Sequence, residues 1–169
     1  MKGIQRQTAS ASGAPFFRAL KERMAMALSI RSGTTDDLSL LAQMNKRLIE
    51  DEGSRNPMSA AELERRMRGW LESGWLIDIV LEDGSVIGYA VYQRRTDEYH
   101  PDQTVIHLRQ LFIERGHRNR GLGTLAFRDL VRTRFPRRST VVIDVLASNP
   151  KGLAFWERLG FRAYSTKMR

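Results

Sequence analysis

Residues 105–130 read VIHLRQLFIERGHRNRGLGTLAFRDL. A strand pattern from Thr104 to Ile113 runs through an arginine-rich turn into the pair Gly121 and Gly123. An amphipathic helix follows, with Leu122, Leu125, Ala126, Leu130 and Val131 on one apolar stripe. Glycines where a turn meets a helix let several backbone N–H groups converge on one anion, and the positive end of the helix dipole adds to the attraction. Arg115, Arg118 and Arg120 lead into the first glycine, and guanidinium forks match phosphate oxygens two hydrogen bonds at a time. The stretch predicts a phosphate cradle, in which valine at either glycine would fill phosphate space. Thr124 and Leu125 stand where a P-loop has Lys and then Ser or Thr, so a Walker-type triphosphatase is excluded.

Around this stretch the chain has 169 residues, 41% of them hydrophobic, which suits one domain with a core of its own. It has no cysteine. Disulfides, thiolate-held metals and thiol nucleophiles are therefore ruled out, and no metal site is predicted. No apolar run approaches the roughly 18 to 20 residues that cross a bilayer, so a cytoplasmic protein without a membrane segment is expected. The net charge of +9, from 28 Lys and Arg against 19 Asp and Glu, favours polyanions, phosphorylated cofactors or acidic surfaces as partners. Arginines outside 115–138 read as solvated helix faces.

Residues 1–26 have no acid before Glu22 and read as a disordered tail, a presequence or, through Phe16, Phe17, Leu20 and Met24, a short docking helix. A true start at Met24 or Met26 is an alternative. A first strand is expected over Ala27–Arg31. Thr34 with Asp37 and Ser59 with Glu62 have the form of capping boxes. They open helices that bury Leu38, Leu41, Met44 and Leu48, then Leu63, Met67, Trp70 and Leu71. Glu50, Asp51 and Glu52 close the first of these helices with the wrong charge for a C-terminus. Strands over 75–81 and 86–92 flank Asp83-Gly84, a hairpin signal, and Gly88 marks a bulge. Pro136 stops the helix after the glycine pair, and Thr140–Leu146 reads as a buried strand. Asn149-Pro150 opens a last helix that Gly160 closes, and Phe161–Thr166 reads as a final strand.

This element order, with Arg118-Asn119-Arg120-Gly121-Leu122-Gly123 after the fourth strand and Asn149 leading through a helix to Leu159-Gly160-Phe161, resembles the GNAT superfamily of acyl-CoA-dependent N-acyltransferases. The resemblance covers about residues 28–167. It implies an α/β (α+β) fold: a mixed, mostly antiparallel sheet splayed between strands 4 and 5 and flanked by helices. The acyltransferase domain would span 27–169. It further implies acetyl-CoA as co-substrate, with the pantetheine arm in the gap against the backbone of Leu111, Phe112 and Ile113. The N–H groups from Asn119 to Thr124, through Arg120, Gly121, Leu122 and Gly123, would hold the pyrophosphate, and Asn149 belongs to the same cofactor site.

What the resemblance implies for the reaction is direct attack by a neutral primary amine of a small molecule or peptide on the thioester, with no covalent enzyme intermediate. Two residues are candidates for the base. His107 has an unperturbed pKa of about 6.5 that suits proton transfer near neutrality, and Asp144 lies in the fifth strand. Each has an equally ordinary structural role, as a strand histidine and as a carboxylate paired with arginine. The family often supplies a tyrosine from the last helix as general acid, and here Trp156 stands in its place. An indole donates a hydrogen bond but does not titrate as an acid, so Tyr89, Tyr92, Tyr164, water or no group at all takes that role. Glu50, Asp51 and Glu52 fall in the segment that walls the acceptor site in the family, where carboxylates would attract a cationic amine such as a polyamine or an aminoglycoside-like compound; a solvated helix end is the alternative. A homodimer is compatible with all of this.

Two rival readings remain. Gly121 to Ala126 satisfies G-x-G-x-x-A with Asp144 at the spacing of a dinucleotide fingerprint, which would make the chain an NAD-binding oxidoreductase. Against this, residues 114–120 separate strand from glycine, and too few residues follow for the remaining crossovers. The other rival is a non-catalytic nucleic-acid-binding domain using Arg128, Arg132, Arg134, Arg137 and Arg138. That run lacks aromatic platforms and a reading helix, and it leaves the glycine pair unexplained.

Overall fold

In the computed structural model, residues 28–166 and 168 are described; the expectations for residues 1–26 lie outside them. Strand β1 (Leu28–Ser32) leads into a 3₁₀ turn at Thr35–Asp37 and helix α1 (Leu38–Asp51). Asp37 accepts from the Thr34 N–H at 2.8 Å, as a capping residue should, and also takes both guanidinium nitrogens of Arg31 at 2.7 and 2.8 Å. Helix α2 (Ala60–Glu72) opens on the second box, with the Ser59 N–H donating to Glu62 at 2.8 Å. Strands β2 (Leu76–Glu82) and β3 (Ser85–Thr96) form the expected hairpin. Asp83 and Gly84 turn it with φ of 50° and 79°, the twist that fits right-handed strands.

Strand β4 (Thr104–Ile113) has the predicted bounds, and a 3₁₀ turn at Arg115–His117 carries it into helix α3 (Leu122–Thr133). Strand β5 (Thr140–Ile143) and helix α4 (Pro150–Arg158) complete the set. The five strands lie in sequence order. The first four run antiparallel, and β5 runs parallel to β4. Helices α1 and α2 cover one face, over Ile79, Tyr89, Val91 and Phe112. Helix α3 covers the other with Phe127 and Leu130 over Ala90, Ile106 and Leu108, and Trp156 of α4 packs beside them. This is a GNAT-like mixed sheet.

Two expectations fail at the end of the chain. The fifth strand stops at Ile143 and is half exposed, because it is the sheet's edge and only one neighbour covers it. Phe161–Thr166 forms no strand. Phe161 is anchored edge-on against Trp156 at 5.2 Å, while residues 162–166 are all exposed and bring no apolar face for a sheet to bury.

What positions the site is a change in β4. Val105 to Leu108 pair with Thr140 to Ile143, and there the pairing with β5 ends. On the other side β3 follows β4 as far as Ile113, but Val91 faces Gln110 and Tyr92 faces Leu108, so Arg109 is an extra residue. Such a bulge bends and twists its strand. From Arg109 onward β4 keeps one neighbour and leaves a slot on the side of β5. A second irregularity skips Ile87, beside the predicted Gly88, where a Cβ would lie 2.1 Å from the Phe112 carbonyl oxygen. Only glycine lets β3 approach this part of β4.

Candidate active site

The slot is a cleft of about 850 Å³ between the open half of β4, the start of α3 and the start of α4, with the end of α1 at its mouth. That size suits a cofactor-sized ligand. Every member of the expected cofactor set except Arg120 lines it, and so do Asp51, Glu52 and Asp144.

The loop into α3 is shaped by two left-handed residues, Asn119 at φ 61° and Gly121 at φ 79°. Among the described residues, the N–H groups from Asn119 to Thr124 donate no hydrogen bond; the first amide to do so is that of Leu125, which bonds to the Gly121 carbonyl at 3.1 Å. Six consecutive amides are thus available at a helix N-terminus, where an anion is favoured. The protein itself constrains the two glycines in different ways. A Cβ on Gly121 would meet nothing within 4 Å, so its backbone angle is the constraint. A Cβ on Gly123 would press on the Phe155 ring at 3.3 Å, so its role is to let α3 and α4 approach.

The arginines are not free for phosphate, as the sequence had suggested. Arg118 donates from Nε to the Ile113 carbonyl at 2.7 Å and from Nη2 to Asp51 at 2.5 Å. Arg115 reaches Asp51 at 2.9 Å and Glu50 at 3.1 Å, and Arg120 holds Glu82 at 2.7 Å together with His117 at 2.9 Å. The same pairs correct the acidic wall. Burial would raise the Asp51 carboxyl, yet Arg118 and Arg115 hold it below the usual carboxylate range. They also neutralise the charge that looked wrong for the end of α1. Among the described residues Glu52 has no such partner; burial, and then Asp51, push its carboxyl up.

Of the three β4 backbone positions, Phe112 points its carbonyl at Gly88 of β3, and the Glu114 N–H bonds Ile87 at 2.8 Å. By strand alternation the peptide groups of Leu111 and Ile113 face the slot, and Arg118 takes the carbonyl of the second. Phe112 therefore drops out as a backbone contact and serves as a buried side chain. Asn149 lines the slot while its side-chain oxygen caps α4 through the Gly152 N–H at 2.8 Å.

The sequence profile of the Acetyltransferase (GNAT) family matches residues 42–161. The chain belongs to that family. Its fold is shared with many solved structures. One is a possible acetyltransferase from Clostridium difficile 630, at 15% identity and TM-score 0.71 over 85% of this chain and 95% of that one. Another is an acetyltransferase from Trypanosoma brucei, at 25% identity and TM-score 0.60 over 84% and 97%. A third, a predicted acetyltransferase from Clostridium acetobutylicum solved with acetyl-CoA, has 18% identity and TM-score 0.66 over 84% and 94%. No curated protein sequence matches the chain.

The GNAT sheet brings the two base candidates together. His107 pairs across to Val142, so Asp144, two residues on, reaches its ring: Nε2 lies 3.2 Å from the carboxylate. His107 is 13% exposed and Asp144 89%, and the other ring nitrogen, Nδ1, is buried without a partner. Trp156 packs edge-on against Phe127, Phe155 and Phe161 at 4.8 to 5.4 Å, as a wall of the slot. Tyr89 is fully buried with its hydroxyl 3.1 Å from Gln110, Tyr92 is bonded to buried Asp78 at 2.8 Å, and Tyr164 is exposed. Sequence reading missed Arg109, Gln110 and Trp75 near these groups. Regular alternation cannot reveal Arg109, which the bulge sets out of phase.

The rivals fit the GNAT geometry poorly. A dinucleotide fold needs a mostly parallel sheet, and among the described strands only β4 and β5 are parallel. Among the described residues no three His, Cys, Asp or Glu are grouped to hold a metal, and no helix is long and apolar enough to cross a membrane.

Proposed function

We propose that this protein moves an acetyl group from acetyl-CoA to a primary amine by direct attack. The observation that carries the reading is the row of unpaired amides from Asn119 to Thr124, opening onto a slot whose β4 edge has lost its partner. A diphosphate fits such a row, since it needs several donors at once and the helix dipole favours its charge. The peptide groups of Leu111 and Ile113 suit the amides of an extended arm in the way that a neighbouring strand would.

Acetyl-CoA would supply an activated acyl thioester. The chain's part is to hold it, to accept a proton from the acceptor's ammonium and to place an N–H donor where the carbonyl oxygen gains charge. Leu111 and Ile113, on the half of β4 that borders the slot, are the candidates for that donor. His107 is the proposed proton acceptor. His107 does not itself line the slot and its Nδ1 is buried, so the proton would reach it at Nε2, which lies 3.2 Å from the slot-lining carboxylate of Asp144. Asp144 orients the ring. Because Trp156 does not titrate, the thiolate leaves toward solvent without a protein acid.

The test is a thiol-release assay over a panel of primary amines, with calorimetry of acetyl-CoA binding. Turnover with at least one amine and a 1:1 acetyl-CoA complex are expected. Tight NAD binding, or salt-dependent DNA binding with no affinity for acetyl-CoA, would overturn the proposal.

A further inference from the structure

Beside the slot, on the face covered by α1 and α2, the indoles of Trp70 and Trp75 lie 5.9 Å apart, and Trp75 lies 5.5 Å from the ring of His107. Guanidinium groups crowd this pair. Arg66 lies 4.8 Å and Arg109 5.4 Å from the Trp70 centroid, and Arg109 and Arg95 lie 5.7 and 5.8 Å from that of Trp75. Stacking on indoles stabilises a cation and holds its plane in place. It does not neutralise the charge. Arg31, Arg47, Arg115, Arg118 and Arg120 each have a carboxylate within salt-bridge distance, but among the described residues Arg66, Arg95 and Arg109 have none.

Arg66 is the most telling of the three. Its side chain is half buried, its Nε is buried with no hydrogen-bond partner, and its other nitrogens reach only neutral groups, the Asn45 side-chain oxygen and the Met58 sulfur. Burial, and then the nearby charge of Arg109, push its pKa down. Two like charges kept close without a counterion cost stability in a folded chain, and an anion at this place would relieve that cost. Arg109 lines the slot itself, on the bulge that starts it. Glu52, the slot carboxylate left without an arginine, is available for a positive group.

We infer that the acceptor is an amine that also carries an anionic oxygen group, such as the carboxylate of an amino acid, with Arg109 holding the anion, Arg66 adding its charge from behind the slot, and Glu52 facing the ammonium. The inference rests on the acetyl-transfer reading and reverses the charge preference that the acidic residues at the end of α1 suggested. Arg109 and Arg66 are then specificity residues, since neither touches the reacting atoms.

The experiment has a binding arm and a turnover arm. Binding of N-acetylleucine and of N-acetylleucinamide, which differ in charge, is measured by calorimetry without acetyl-CoA. The carboxylate is expected to bind about tenfold tighter or more, and Arg109→Gln to bring the ratio close to one, with Arg109→Lys intermediate. Arg66→Gln, which removes the guanidinium contact to Asn45, serves as the second variant and is expected to lower the ratio as well. Turnover is compared within the pairs leucine and leucinamide, and phosphoethanolamine and ethanolamine. The ratio in Arg109→Gln is referred to that in wild type, so differences in amine basicity cancel. A loss of preference carried by KM supports the inference, and the pair that shows it identifies carboxylate or phosphate. Equal binding of the neutral and charged ligands by wild type, or an undiminished preference in Arg109→Gln, overturns it. Selective binding of the carboxylate with no thiol released from any amine supports the anion site and refutes the acetyl-transfer reading.

Discussion

Two cationic regions border the slot, and they are built in opposite ways. In the turn from Arg115 to Arg120 every arginine is bound to a carboxylate from a distant part of the chain, and the anion-attracting surface is made of backbone amides. On the Trp70–Trp75 side the arginines have aromatic faces and, among the described residues, no acid, and the side chains themselves carry the charge. The density of arginine in a sequence therefore says little about where positive charge is available. The turn is denser and largely neutralised; Arg66, Arg95 and Arg109 are scattered in sequence and, among the described residues, meet no carboxylate.

The sharpest way to break the comparison is to spoil the amides while leaving the arginines. Gly121→Val forces a β-branched side chain into a left-handed backbone, costing on the order of 1–3 kcal/mol of strain, and turns the loop N–H groups away from one another. Acetyl-CoA affinity should fall about 100-fold, whereas Arg120→Gln should change it less than about threefold, because its guanidinium already belongs to Glu82. Calorimetry that finds the two variants equal would return the phosphate to the arginines.

His107 and Asp144 sit between the two regions, and their contact predicts that they act as a unit. His107→Ala should lower kcat about 100-fold with little change in acetyl-CoA affinity, and Asp144→Asn about tenfold. The double variant should be no slower than His107→Ala alone. If the two losses multiply instead, the residues act independently.

The smallest effect concerns the glue of the turn. Arg118→Met should cost about 1 kcal/mol of stability, since it breaks a part-buried ion pair and frees the Ile113 carbonyl. The pH dependence has a definite sign. The Asp51 carboxyl lies below its unfolded value of about 4, so its contribution is complete above that pH and disappears as the pH falls through the lower, folded value. Asp51→Asn should flatten this acid limb in thermal melts below about pH 4, and an unchanged limb would remove the pair from the stability of the turn.

Much of this molecule could be read locally. The Thr34–Asp37 and Ser59–Glu62 boxes, the Asp83-Gly84 turn, the bounds of β4 and the Asn149 cap are contacts within a few residues of one another, and they form as their spacing requires. The strand expected over Phe161–Thr166 was misread because a strand pattern needs a sheet edge to join, and the ring of Phe161 is held among aromatics instead.

By itself the sequence determined the order of elements, the glycine pair and the residue types around it, since backbone preference and hydrophobic period act over one or two turns. Only the tertiary structure decided which charges cancel. Asp51 meets Arg118 across 67 positions and His107 meets Asp144 across 37, while one bulge at Arg109 both opens the slot and shifts the strand's alternation. Charge pairing and strand register depend on distances in space, and those exist only once the chain has folded.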